Sequence, residues 1–382
     1  MSNKFNNKLV YLTYQSFPAE TANSLQTITS IVEMVNQDVD IELIFPDREK
    51  TSSDDIQELK RYYNFDVDFK VKKLAHNLPF GKFKKFKKTS YHISHFIWAM
   101  KSVKQISNNI SNIIFITRSD WVLYFLAKKN LKVLFECHQP SKLRNLILKY
   151  ALRKSSTKII FLNENLYEYH KKYIVHKNNS IILGSAYKDE FFQDKIEKIP
   201  NQVVFAGQLL RFGSDRNINF LVSCFEEKEL EKFELKIIGG PSEYIEIFKN
   251  KRKKPIPKNV EFIGRIDHKN TTKMLLQSEI GILINNDDNH ALKYTSPLKY
   301  FEYLAANLKI VAVDFNSHKK LPFSDNILFF QNNQKLSFIN SIVNSKKTIP
   351  VKSEHYEEYS LSKRVKKIIE FARLEGLEPP TL

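Results

Sequence analysis

One pattern constrains this chain more than any other: a short apolar run followed by a helical stretch, repeated along nearly its whole length. Leu9–Leu12 leads into a segment with Leu25, Ile28, Val32 and Val35 at helical spacing, and then into Ile41–Phe45. Further runs stand at Ile113–Ile116, Val133–Phe135, Ile159–Leu162, Ile181–Leu183 and Val203–Ala206. The pattern continues with Leu235–Ile238, Glu261–Ile263, Ile280–Ile284, Ile310–Val313 and Ile327–Phe330. Contiguous apolar strands alternating with helices predict parallel sheets buried on both faces, an α/β architecture. So many strands exceed one ordinary sheet, and 382 residues suit two domains.

The charged stretch Lys195–Asn201, with Pro200 before a fresh strand, sets the expected boundary. The domains are then 1–197 and 198–352. Over 353–375, Leu361, Val365, Ile368, Ile369 and Ala372 form an apolar stripe that predicts a helix packing back on the first domain. Residues 376–382, with Pro379-Pro380, read as a frayed tail.

Lysine and arginine exceed aspartate and glutamate by 60 − 42 = 18, which calls for an anionic partner. Glycine is scarce at 9 residues, which with abundant Lys, Asn, Ile and Phe matches the codon bias of an AT-rich genome. Cys137 and Cys224 are too few for a disulfide framework and lack metal-ligand spacing, so a reducing compartment is expected. No signal peptide and no bilayer-spanning run is read from the sequence. The expected location is the cytoplasm, either free or at the inner face of the cytoplasmic membrane.

The stretch Tyr294–Ala306 carries the most chemistry. Ser296 reads as a helix N-cap and Pro297 as the first helical position, after a strand and a polar loop. Such a terminus offers free N–H groups to an anion. Lys299 and Glu302, three apart, share a face and suit a phosphate and a sugar hydroxyl; a surface salt bridge on a capped helix is the plain alternative.

Ser296-Pro297-x-Lys299-x-x-Glu302-Tyr303-Leu304-Ala305 resembles the donor-binding signature of family 4 glycosyltransferases, which have the GT-B fold. Val203–Gly207 with Arg216-Asn217, Leu235–Gly240, and Asn259–Arg265 resemble further segments of that family in order. The resemblance covers about Val203 to Asp314 well and the first half more loosely. It implies two facing Rossmann-like domains with parallel sheets and an inter-domain cleft. It also implies a donor that is a nucleotide diphosphate sugar, no cofactor, no metal and retention of anomeric configuration. By position, Glu302 would accept from ribose hydroxyls, and Lys299 and Arg216 would neutralise the diphosphate. The Ser296–Leu298 amides would bind its oxygens, Gly207 and Gly264 would form the approaching turns, and Arg265 and Ile266 would border the base. Gln208 stands where the family usually has arginine, so Arg211 is the substitute candidate. Tyr294 stands where many members carry a second glutamate.

In the first half, His138 follows a strand, where a family histidine faces donor sugar and phosphate; a satisfied strand-end histidine is the alternative. With Glu302 it forms the expected catalytic pair, and Glu136 could orient it. The loop Gln15–Ser24 lies at a strand's C-terminal edge, which makes Asn23 and Ser24 candidates for acceptor or phosphate contact. Asp38-Val39-Asp40 and Asp66-Val67-Asp68 spell a metal-holding triplet, but both sit in turns and neither is distinctive. Lys70 to Lys88 holds eight lysines and no acid. Its part Lys82, Phe83, Lys84, Lys85, Phe86, Lys87 and Lys88 suits either an anionic membrane surface or a solvated basic loop.

The expected function is bacterial glycosyl transfer to a saccharide or lipid-linked saccharide in capsule, cell-surface polysaccharide or lipopolysaccharide synthesis. The alternatives are a nucleotide-sugar epimerase of the same fold, or a non-catalytic basic module on a membrane or nucleic acid. No nucleic acid is expected, since no recognised binding motif is present. An oxidoreductase is the least favoured class, since no Gly-x-Gly-x-x-Gly follows any strand.

Overall fold

The computed structural model describes residues 7–76, 78, 87–107, 112–189, 192, 196–211 and 213–373. The chain forms two compact units, Met1–Leu183 with Arg364–Leu382, and Gly184–Lys363.

The first unit holds β1 (Lys8–Leu12), β2 (Ile41–Asp47), β3 (Lys70–Ala75), β4 (Ile113–Thr117), β5 (Val133–Cys137), β6 (Thr157–Phe161) and β7 (Ser180–Ile182). They make one parallel sheet in the order β3-β2-β1-β4-β5-β6-β7. Every residue of β5 and β6 is buried, so Val133–Phe135 and Ile159–Phe161 read as apolar runs, and the buried Glu136 and Lys158 beside them are paired. The helix Ala22–Asn36 packs Ile28, Ile31, Val32 and Met34 into the core. Each such side chain contributes about 1.5–3 kcal/mol of burial.

The second unit holds β8 (Gln202–Ala206), a short hairpin of β9 (Leu210–Arg211) and β10 (Ser214–Asp215), then β11 (Glu234–Ile238), β12 (Val260–Gly264), β13 (Ile280–Leu283), β14 (Lys309–Val313) and β15 (Ile327–Phe330). Its main sheet is parallel in the order β12-β11-β8-β13-β14-β15. In both sheets the strand order reverses beside the first strand, between β1 and β4 and between β8 and β13. Open α/β sheets bind ligands beyond the carboxyl ends of the strands at such switch points.

Two boundaries differ from expectation. The second unit starts at Gly184 rather than at 198, because Ser185 is tied to Ser296 and Tyr187 bridges to Ser360. Residues 353–363 stay with the second unit, and only Arg364 onward belongs to the first. There the helix Leu361–Arg373 is anchored by Arg364 on Glu136 at 2.8 Å. Lys158, fully buried in β6, donates to the Phe371 carbonyl at 2.8 Å, which satisfies one of the helix's last acceptors. Strand β3 is an addition to the sequence reading. The tail 376–382 and Lys82 to Phe86 lie outside the described residues, as do the side chains of Lys87 and Lys88.

Candidate functional site

At the carboxyl edge of the second sheet, the switch point is framed by the helix Leu298–Ala305 and by the β9–β10 hairpin. Tyr303 positions that helix. Its hydroxyl accepts from the Ala206 N–H at 3.1 Å and donates to the Ile282 carbonyl at 3.3 Å, so one side chain spans the ends of β8 and β13. Gly281 makes the close approach possible, since a Cβ there would stand 2.6 Å from the Tyr303 ring. Gly239 works similarly after β11, where a Cβ would lie 1.7 Å from the Gly207 carbonyl oxygen. Gly239 also donates to the Gly264 carbonyl at 2.8 Å, joining the loops after β8, β11 and β12.

Glu302 sits one residue before Tyr303, and its side chain is only 3% exposed. Lys299 Nζ lies 2.5 Å from one carboxylate oxygen, and His268 Nε2 lies 3.2 Å from the other. Burial by itself would raise the carboxyl pKa, but Lys299 and His268 pull it down to about 2. The group is therefore an anion held between two donors, and hydroxyls of a ligand could replace or join them. His268 opens the helix His268–Gln277, whose N-cap is Asp267. Sequence reasoning missed His268; Asp267, the N-cap directly before it, is the signal that could have placed it at a helix start.

Arg216 and Arg211 flank the hairpin. Arg216 Nε donates to Asn285 Oδ1 at 3.1 Å, just beyond β13, and its Nη1 donates to the Gln208 carbonyl at 3.2 Å. Burial and then the positive charge of Arg211 lower its pKa to about 10, so it stays cationic at neutral pH. Arg211 pairs with Asp288 at 3.0 Å and lies 2.7 Å from His290 Nδ1. Asp288 also caps the helix Asn289–Lys293 through the His290 and Ala291 N–H groups. Tyr294 is buried rather than presented as a polar substitute for glutamate.

Ser296 and Pro297 correct the expected cap by one position. The helix begins at Leu298 with Pro297 as its N-cap, and the Ser296 hydroxyl accepts from the Ser185 N–H at 2.9 Å instead. The half-buried Leu298 and Lys299 open a first turn that no side chain caps. Gly207 follows β8, and Gly264 ends β12. Arg265 is exposed in the next turn, while Ile266 packs partly on the core. All eleven donor-side candidates thus belong to the second unit, with Glu302 and Lys299 in direct contact.

The first-unit candidates divide differently. His138 follows β5 and is largely withdrawn from water. Burial, then Arg118, hold its pKa well below the ordinary histidine value, so the imidazole is neutral. Glu136 is engaged by Arg118 at 2.7 Å, Arg364 at 2.8 Å and Tyr11 at 3.2 Å, which makes it an anchor for those groups. Ser24 is corrected from loop to helix. It lies buried in the first turn of Ala22–Asn36, where Thr21 accepts from its N–H at 3.1 Å and its hydroxyl meets that of Thr21. Asn23 lies in the same first turn and is exposed to solvent.

No family model matches the sequence, and no curated protein matches it. Solved structures do match along almost the whole chain. The lipopolysaccharide outer core galactosyltransferase WaaB in its apo form is 12% identical with a TM-score of 0.63, covering 96% of this chain and 100% of its own. A glycosyltransferase from Rickettsia africae is 12% identical with a TM-score of 0.67, covering 96% and 98%. HepE from Anabaena, solved with UDP and glucose, is 9% identical with a TM-score of 0.62, covering 95% and 98%. The fold is GT-B. At these identities the likeness establishes the two-sheet architecture and leaves chemistry to the site. Among the described residues, no helix is long and apolar enough to cross a membrane.

Proposed function

We propose that this protein is a glycosyltransferase that moves a sugar from a nucleotide diphosphate sugar to a saccharide or lipid-linked saccharide of the bacterial cell surface, such as capsule or lipopolysaccharide. The observation that carries this reading is the buried Glu302 carboxylate, clamped by Lys299 and His268, on a GT-B donor-side unit. That carboxylate is suited to ribose hydroxyls. Arg216 and Arg211, held beside the end of β8, are suited to the diphosphate. The departing nucleoside diphosphate gains negative charge as the glycosidic bond breaks, and fixed cations stabilise that charge in the transition state. Each charge-assisted contact contributes about 1.5–3 kcal/mol. HepE, whose solved complex contains UDP and glucose, supports a nucleotide-sugar ligand for a chain of this fold. His138 is assigned to the transfer step as a neutral hydrogen-bond donor. Retention of configuration, and work without a metal or other cofactor, complete the proposal on the strength of the family 4 resemblance. The enzyme would work in the cytoplasm, with Lys82 to Lys88 meeting the inner face of the membrane.

A thermal-shift screen with UDP, GDP, CMP and their sugars tests the donor assignment. Ligand at one hundred times its dissociation constant stabilises the folded state by about 2.7 kcal/mol. A shift with one nucleotide family that Glu302→Gln loses is expected. No shift with any of them at millimolar concentration would overturn the proposal.

A further inference from the structure

Three helices of the first unit, Lys87–Ile106, Asp120–Lys128 and Lys142–Ala151, pack side by side. Their one acid is Asp120, and it is bound to Arg144 at 2.6 Å. Lys101, Lys104, Lys128, Lys142 and Lys149 are exposed on them. Between Asp68 and Asp120 the sequence carries ten lysines, one arginine and no acidic residue. A solvated helical face ordinarily mixes both signs of charge, so this one is selective for anions.

Within this basic surface lies an apolar pocket of about 380 Å³, lined by Thr89, His92, Ile93, Phe96 and Trp121. Phe96 and Trp121 meet edge to face at 4.9 Å. Ile93 is 50% exposed, and Met100, two turns along the same helix face, is 42% exposed. Phe96 and Trp121 are half-buried and also pack on Phe125 and Tyr124, but Ile93 and Met100 leave apolar surface to water beside them, and such a patch marks a surface that something apolar covers.

We infer that this pocket takes the hydrocarbon chain of an anionic lipid in a membrane leaflet, with the surrounding lysines meeting the headgroup phosphates. The lining is suited to a chain and offers little to a polar ligand, while the flanking charge selects an acidic headgroup. This surface belongs to the first unit and the proposed donor site to the second, and lipid binding needs no nucleotide. The inference therefore stands or falls apart from the glycosyl-transfer reading.

The protein has two tryptophans, Trp98 and Trp121, and Trp98 is only 1% exposed. The full chain is mixed with vesicles of phosphatidylcholine, with and without phosphatidylglycerol, carrying bromine on the acyl chains. Binding and fluorescence quenching are expected only with phosphatidylglycerol, and Trp121→Phe should remove the quenching while leaving the Trp98 signal. Ile93→Glu, at an exposed position, should weaken vesicle binding at least about tenfold. Three outcomes overturn the inference. The first is vesicle binding without acyl-chain quenching. The second is single-stranded DNA protecting Trp121 in place of lipid. The third is an Ile93→Glu protein that binds vesicles normally but has lost self-association.

Discussion

Replacing Glu302 by glutamine keeps the shape of the side chain and removes its charge. In the native protein the carboxyl is buried, which taken alone raises its pKa, yet Lys299 and His268 hold it at about 2 against an ordinary 4.5. As pH falls, the unfolded chain takes up this proton before the folded chain does. The stabilisation is therefore complete above pH 4.5 and disappears as pH falls towards 2. A shift of that size corresponds to about 3 kcal/mol at neutral pH. Lys299 and His268 are themselves 27% and 32% exposed, so water shares part of the interaction. The expected gap between wild type and Glu302→Gln is about 2–3 kcal/mol at pH 7. It should close progressively below pH 4.5, because a protonated Glu302 and a glutamine are then electrostatically alike. Urea unfolding followed by far-UV circular dichroism at pH 7, 4.5 and 3 reads this directly. A gap of the same size at every pH would show that Glu302 acts through packing, and the electrostatic reasoning would be refuted.

Gly239→Ala places a Cβ 1.7 Å from the Gly207 carbonyl oxygen and should cost the second unit about 3 kcal/mol; an unchanged urea midpoint would contradict the close approach. Arg364→Ala removes one of two arginines from the buried Glu136 and should destabilise the first unit by about 1–3 kcal/mol. Faster amide exchange in the helix Leu361–Arg373 is the readout, and wild-type protection there would refute the anchor. His138→Ala should lower turnover more than donor affinity. Since His138 is neutral well below its ordinary titration range, the wild-type rate should show no step near pH 6.5 that the variant lacks.

The sheets were legible in the sequence because parallel strands covered on both faces are contiguous apolar runs. Strand β3 was not, since it is an edge strand whose Lys70, Lys72 and Lys73 face outward or sit at partly covered positions, leaving only Leu74 buried. The domain boundary was misplaced for a similar reason. Pro200 and its charged neighbours mark a loop, but what assigns Ser185 and Tyr187 to the second unit is contact with Ser296 and Ser360, which local composition cannot encode. At the site, Lys299 and Glu302 were readable as a pair because helical periodicity places them together. His268 and Asn285 were not, for they reach Glu302 and Arg216 from 34 and 69 residues away.

These long-range partners also bear on what the site is for. The positive charge of Arg211 disfavours that of Arg216, and among the described residues Asp288 is the one acid that offsets both. Asn285 and the Gln208 carbonyl, which hold Arg216, are neutral and cannot cancel its charge. Keeping two guanidiniums together and partly dried costs free energy in the unliganded protein. An anion with charge spread over several oxygens would offset both at once, and a single carboxylate would offset one. The scaffold therefore favours a polyanionic group beside β8. A nearby carboxylate held ionised, Glu302, favours hydroxyls on the same ligand. A phosphate-rich molecule that also carries a sugar satisfies both demands, and inorganic pyrophosphate satisfies only the first. Comparing UDP, GDP and CMP with pyrophosphate in the wild type and in Glu302→Gln separates them: only nucleotide binding should depend on the carboxylate, whereas equal losses for pyrophosphate would assign Glu302 to the cation cluster instead.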